Sequence, residues 1–240
     1  MDSRRLIQTA KVNGIITHTD LIKEFTFEML NPSTLKFQAG QFLMLHIPPL
    51  NPGEKDILRA YSLASGEQTP SQFRLLIKYV DEGVASKYFW NLEVGHTINL
   101  TAPFGKLFFP QTPSQKLFFL STGSGLAPHL SYIETFLAQF PESHFHFLIG
   151  VRTQKDFFYI DYLNEKKKNF KNFDFEFVLS RPDPTWKGKT GYLQKQIESL
   201  NFEISNCHFF VCGNKDMANA TKHVLLDLGL AKDKVLVEIF

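Results

Sequence analysis

Near Pro110 the chain changes its hydrophobic period, and this change divides what it can fold into. From Lys11 to about Phe109, strand-like segments at 22–29, 41–47, 60–64, 73–80 and 97–100 are separated by turn residues such as Asn31-Pro32, Pro48-Pro49 and Pro52-Gly53. Many short strands at this spacing predict an antiparallel β-barrel, with one short helix at 86–90. Beyond Pro110, Leu117-Phe118-Phe119-Leu120 is continuously apolar, as a strand buried on both faces is. Leu130, Ile133, Leu137 and Phe140 then recur at helical spacing. Strand-like 145–149, 175–179, 209–211 and 235–239 alternate with helix-like 156–168, 192–200 and 217–228, and Gly229 stands where a helix C-terminal glycine belongs. Five strands alternating with helices predict an α/β doubly wound parallel sheet. The expected division is 1–112 and 113–240, with the Pro-containing segment 110–114 between.

The bulk numbers exclude several classes. The chain has 240 residues, 43% hydrophobic and 21% charged, enough to bury a substantial core. Its 26 basic and 24 acidic residues leave a net charge of +2, so neither nucleic acid nor an anionic membrane is expected as a partner. The run Lys166-Lys167-Lys168 reads as the solvated end of a helix. No signal peptide follows Met1-Asp2-Ser3-Arg4-Arg5, and no apolar run is long enough to span a bilayer. A soluble, cytoplasmic monomer is the expectation. Cys207 and Cys212 are the only cysteines, too few for a four-thiolate iron–sulfur cluster or a disulfide scaffold. No zinc-type spacing is present, and no metal is expected; His144 and His146 alternate along one strand, where packing or solvent roles are expected.

Two stretches carry the chemistry. Thr122-Gly123-Ser124-Gly125-Leu126-Ala127-Pro128 sits where a strand enters a helix. Ligands of doubly wound sheets bind at such strand ends, and the glycines would let a phosphate approach the backbone and the helix N-terminus. A plain strand-to-helix turn would use the same small residues, and the segment lacks the G-x-G-x-x-G fingerprint. Cys212-Gly213 marks a second strand end, where a thiol could touch a nicotinamide ring or simply be buried. Arg152, Arg181 and Lys189 follow the second and third strands of this half and could hold a 2′-phosphate. Asp183, nearby, keeps open a ribose diol contact instead. In the first half, Arg59-Ala60-Tyr61-Ser62 offers a cation for a pyrophosphate, a ring to stack on an aromatic ligand and a hydroxyl to bond it. An edge strand with alternating side chains would look the same. Gly83-Val84-Ala85-Ser86 adds a glycine-led turn at a helix start, with N–H groups for the same pyrophosphate.

Taken together, these motifs resemble the ferredoxin–NADP reductase superfamily over nearly the whole chain. Arg59-Ala60-Tyr61-Ser62 is similar to its R-x-Y-S/T flavin motif, and Gly83–Ser86 to its second flavin-phosphate turn. Thr122–Pro128 is similar to its T-G-T-G-x-A-P loop, with Ser124 for the usual Thr. Cys212, Gly213 and Met217 resemble its C-G-x-x-x-M segment, and Phe37–Phe42 its F-x-x-G-Q strand. Glu238-Ile239-Phe240 resembles its terminal E-x-aromatic, in which the aromatic covers the flavin and the Glu lies near the hydride path. The resemblance implies an FAD-binding barrel, an NAD(P)-binding second domain and hydride exchange between NADPH and FAD. It further implies single electrons passed to or from a separate carrier, ferredoxin or flavodoxin, with Ser62, Cys212 and Glu238 beside the reacting rings.

Thr101-Ala102-Pro103-Phe104-Gly105 departs from the family's G-P-x-G start. Ser180-Arg181 looks like NADPH-selective members. The surrounding Ser180-x-Pro182, Trp186-x-Gly188 and Gly191-Tyr192 look like NADH-using oxygenase reductases and flavin reductases. NADH thus stays possible, as does a reductase component of an oxygenase or a free-flavin reductase. A non-catalytic flavin-binding subunit is the reading from another class.

Overall fold

A computed structural model describes residues 6–49, 51, 53–200 and 202–239. The first half forms strands β1 (Gln8–Thr19), β2 (Ile22–Asn31), β3 (Phe42–Ile47), β4 (Ile57–Ser62), β5 (Gln72–Lys78) and β6 (Thr97–Phe104), with helix α1 (Val84–Trp90) before the last. They pair antiparallel in the order β4-β3-β6-β1-β2-β5. An antiparallel bridge between Leu63 and Leu75 joins the two outer strands and closes the sheet into a barrel. Alternation drives this: Phe25 and Phe27 of β2, Leu43 and Leu45 of β3 and Phe73 and Leu75 of β5 turn inward and are buried. Phe25 meets the buried Phe89 of α1 edge-on at 5.3 Å. Each such buried side chain stabilises by roughly 1.5–3 kcal/mol. Several boundaries differ from the sequence expectation: β4 lies three residues earlier at its start and ends at Ser62, β5 ends at Lys78, and β6 continues to Phe104. β1 begins well ahead of any segment singled out there, and α1 starts two residues earlier, at Val84.

The second half forms β7 (Lys116–Thr122), α2 (Leu126–Phe136), β8 (His144–Val151), α3 (Ile160–Asn169), β9 (Phe173–Leu179), β10 (Lys189–Thr190), β11 (Cys207–Gly213), α4 (Lys215–Asp227) and β12 (Val235–Ile239). All are parallel, in the order β10-β9-β8-β7-β11-β12. The doubly wound sheet thus has the five expected strands and a two-residue sixth, β10, at its edge. The expected helix at 192–200 is a 3-10 segment, Leu193–Ser199, and that at 156–168 starts only at Ile160. β7 lies at the centre, so the strand order reverses between β7 and β11, and ligands of such sheets bind beyond that point.

Both faces of the sheet are covered. Phe119, Phe145, Phe147 and Phe210 pack under α2 and α3, and Phe118, Leu148, Phe209 and Val211 pack against the 3-10 segment and α4. Phe109, in the segment between β6 and β7, stacks on Phe136 at 4.3 Å and on Phe210 at 5.7 Å. The connection between the two sheets is therefore anchored in the second core.

Candidate functional site

The barrel edge meets the carboxyl ends of the parallel strands along a seam. On β4, period-2 alternation puts Arg59 and Tyr61 on one face and Ala60 and Ser62 on the other. The Arg59 guanidinium is exposed and donates to the carbonyl of Leu58 at 2.9 Å. The Tyr61 ring packs edge-on against Phe89 at 5.4 Å, and burial pushes its phenol up to about 12, so it stays protonated at neutral pH. At the end of β4, the Ser62 hydroxyl donates to Glu238 Oε1 of β12 at 2.7 Å.

Glu238 pairs in register with Cys212 across β11 and β12. Burial pushes the Glu238 carboxyl up, and the bond from Ser62 offsets this only in part. Its second oxygen, Oε2, is buried without a hydrogen-bond partner among the described residues. The Cys212 thiol is fully buried. Burial first, then the neighbouring Glu238 carboxylate, holds it well above the usual thiol range, so it remains a neutral SH group. The structure thus brings Ser62, Cys212 and Glu238 together. Phe240, predicted to cover the flavin, lies outside the described residues.

Two glycines of the loops around this cluster, Gly125 and Gly213, leave no room for a side chain. Gly123–Gly125 is a 3-10 turn that runs straight into α2 with no side-chain cap, so helix N–H groups face outward. Gly123 adopts φ +53, and a Cβ on Gly125 would collide with the Cys212 carbonyl. A Cβ on Gly213 would collide with the Thr122 hydroxyl and the Met217 methyl. Asn214 holds these loops together: it caps α4 by accepting from the Met217 N–H at 3.0 Å and donates to Thr122 Oγ1 at 3.4 Å. On the barrel side, Gly83 opens α1, again without a side-chain cap, ahead of Val84, Ala85 and Ser86. The Ser86 hydroxyl accepts from the Val80 N–H at 2.8 Å and fixes the turn.

A cavity of about 820 Å³ runs along the seam, lined by Lys78 and Asp81 from the barrel and by Thr122, Arg152, Asp156 and Asn214 from the second half, among others. The three predicted cations separate. The Arg181 N–H donates to the Arg152 carbonyl at 2.8 Å, which sets the two arginine loops side by side. The Lys189 ammonium instead lies 3.7 Å from Glu176 and donates to Ser199 at 3.3 Å. The nearby acids are engaged in their own loops. Asp156 accepts from the Thr153 N–H at 2.8 Å, and Asp183 from the Thr185 N–H at 2.8 Å.

Sequence reasoning missed Lys78 and Asn214. The Lys78 stem comes within 3.8 Å of where a Cβ on Gly123 would sit, a contact across the seam that no local pattern announces. Asn214, directly ahead of a helical pattern, carried a legible cap signal. The chemistry of the seam suits a flavin and a dinucleotide: two uncapped helix starts, glycine loops open to close approach, and a buried carboxyl with one unpartnered oxygen.

Residues 10–109 match the oxidoreductase FAD-binding domain family, and residues 119–223 match the oxidoreductase NAD-binding domain family. Fold and site together therefore define an enzyme class, the FAD-dependent NAD(P)H oxidoreductases. Ferredoxin--NADP reductase B of Sorangium cellulosum is 32% identical over 238 residues, covering 95% of this chain and 96% of that protein. The chain belongs to the ferredoxin–NADP reductase superfamily. The electron transfer component of anthranilate 1,2-dioxygenase from Acinetobacter baylyi is 27% identical, over 97% of this chain and 68% of that protein. In fold, the chain is similar to a ferredoxin NADP+ reductase from Neisseria gonorrhoeae solved with FAD and NADP, with a TM-score of 0.85, 24% identity and coverage of 97% and 98% of the two chains. No helix among the described residues is long and apolar enough to cross a membrane.

Proposed function

We propose that this chain accepts hydride from NADPH at its FAD and passes the electrons singly to a separate small carrier, ferredoxin or flavodoxin, as a cytoplasmic monomer. FAD, when bound, supplies the junction between two-electron and one-electron chemistry. The observation that carries this reading is the cluster of Ser62, Glu238 and Cys212, in which the barrel edge meets two strand ends of the nucleotide domain.

The protein's own part is binding, orientation and exclusion of water. Arg59 and the N–H groups of Val84, Ala85 and Ser86 would hold the flavin pyrophosphate. Tyr61, braced by Phe89, would contact the flavin ring, with Ala60 the small residue between it and Arg59 on the strand. Thr122, Gly123, Ser124 and Gly125 offer backbone N–H groups to the nucleotide phosphates, and Gly213 and Met217 shape the floor beneath the nicotinamide. Ser62 keeps a hydroxyl at the seam and donates a hydrogen bond to Glu238. Burial pushes the Glu238 carboxyl up, and the bond from Ser62 holds it in place.

NADPH is favoured because Arg152 and Arg181 are adjacent, while Asp156 and Asp183 are occupied within their loops. Lys189, held by Glu176, gives this pocket background charge only. A separate carrier is favoured by the presence of only two cysteines and by the end-to-end similarity to the Sorangium reductase. The Trp186-x-Gly188 segment and the likeness to the anthranilate dioxygenase component favour a second reading, an NADH-dependent reductase of an oxygenase. Anaerobic stopped-flow reduction by NADPH and by NADH, read at the flavin band and followed by mixing with ferredoxin or flavodoxin, tests the proposal. Faster reduction by NADPH and rapid reoxidation by a carrier are expected. Equal or faster reduction by NADH overturns the NADPH reading, and a protein that binds no FAD overturns the whole.

A further inference from the structure

A second set of contacts crosses the seam away from the cluster. Alternation along β2 turns Phe25 and Phe27 into the barrel and Glu24 out of it, yet Glu24 is only 4% exposed because the second domain covers it. Its Oε2 accepts from the Tyr159 hydroxyl and lies 3.2 Å from His18 Nε2. The His18 and Tyr159 rings stand 4.8 Å apart. Arg74 of β5 donates to Tyr159 at 3.2 Å and to the carbonyl of Ala64 at 3.2 Å, and forms an ion pair with Glu134 of α2. Glu134 in turn accepts from the Gly66 N–H at 2.8 Å, and Ser131 of α2 donates to the Ser65 carbonyl at 2.7 Å.

Two features give this array a direction. First, Ala64, Ser65 and Gly66 follow Ser62 with only Leu63 between, so whatever pins them restrains the end of β4. Second, the helix that pins them is α2, whose own start is the Gly123–Gly125 turn. One rigid helix therefore sets the position of both the flavin-side hydroxyl and the nucleotide loop. Tyr159 adds a brace from α3; it sits at the helix start in the left-handed region, φ +60. A non-glycine residue is held in that conformation only where its surroundings require it.

We propose that Arg74, Glu134, Glu24 and Tyr159 form a latch of positioning residues that sets the separation of Ser62 from the nucleotide loop, and with it the rate of hydride exchange. The proposal rests on the reading that flavin and nicotinamide meet at Ser62 and Glu238. Hydride exchange depends steeply on distance, and a displacement of about 1 Å can cost on the order of a hundredfold in rate.

The test uses FAD-loaded protein and the variants Glu134→Gln, Tyr159→Phe and the milder Ser131→Ala. Flavin content, thermal midpoint, nucleotide affinity and the limiting rate of flavin reduction at saturating NADPH are measured, the last with protiated and C4-deuterated nucleotide. A latch predicts full flavin content and unchanged nucleotide affinity, with limiting reduction slowed roughly tenfold in Glu134→Gln and Tyr159→Phe and an isotope effect at least as large as the parent's. Variants with a lower thermal midpoint but the parent's limiting rate overturn the latch. If Glu134→Gln does not fold, Tyr159→Phe and Ser131→Ala decide by the same rate. A parent protein that neither nucleotide reduces overturns the functional reading instead, independently of the latch.

Discussion

Ser62 and Glu238, 176 positions apart, share a 2.7 Å hydrogen bond across the seam between the two sheets. Neither domain can form this contact alone. Ser62 ends a barrel strand, and Glu238 lies on the last strand of the parallel sheet, in register with Cys212. The Ser62–Glu238–Cys212 cluster is therefore a property of the assembled pair, and small changes at the seam reach it directly.

Replacing Glu238 with Gln should slow flavin reduction by about ten- to a hundredfold while FAD stays bound, since positioning at the reacting face is lost. The variant should also be the more stable protein at neutral pH. The folded Glu238 carboxyl titrates above its unfolded value because it is buried. A group shifted in this direction contributes stability below its unfolded pKa and loses it as pH rises through the folded one. Thermal midpoints of parent and variant should thus converge near about pH 4 and separate in favour of Gln toward about pH 8. A constant difference across that range would refute the assignment.

Arg181→Ala should weaken NADPH by on the order of 1.5–3 kcal/mol, roughly ten- to a hundredfold, and leave NADH nearly unchanged. Arg152→Ala should do the same through loss of its side-chain charge, since the backbone bond that sets the two loops side by side survives the change. Steady-state KM values for both nucleotides report the difference, and an equal loss for each would remove the 2′-phosphate pocket.

Gly125→Ala should cost about 1–3 kcal/mol and impair nucleotide binding, although its backbone is ordinary helical geometry. The added methyl collides with the carbonyl of Cys212, so the loop and β11 must part. Denaturant melts and nucleotide titration of the FAD-bound variant measure both effects; wild-type values for both would show that the contact relaxes freely.

Deleting Phe240 should tighten binding of the oxidised nucleotide and reduce discrimination between NADPH and NADH. The basis is the resemblance of Glu238-Ile239-Phe240 to the family's terminal E-x-aromatic. Aromatic stacking contributes about 0.5–1.5 kcal/mol beyond area burial, so its loss should shift affinity up to about tenfold. Difference spectra during titration with NADP+ check this, and an unchanged spectrum and affinity would remove the flavin-covering role of Phe240.

Much of this architecture is legible in the sequence because burial leaves a periodic trace. Leu117–Leu120 reads as a strand covered on both faces, and it is the central one. The glycine loop reads as a ligand-facing turn, but not the reason for Gly125, which is a carbonyl on another strand. The segment 192–200 has helical spacing yet forms 3-10 turns, because Gly191 at φ +96 and the bond from Gln196 to the Thr190 carbonyl tighten its entry. Lys189 shows its charge in the sequence but not its partner, which depends on β10 pairing with β9. Glu24 lies on the outward side of β2, where the sequence marks only a strand, and contacts from the second domain bury it. Local pattern records which face is covered; it carries no record of what covers it.

Phe109 gives the connection between the halves an unexpected mechanical character. Its ring is clasped by Phe136, Phe145 and Phe210, so the tether is bolted at one end and has little slack. A nucleotide half excised from residue 113 onward would leave that ring behind and open a hole in its own interior.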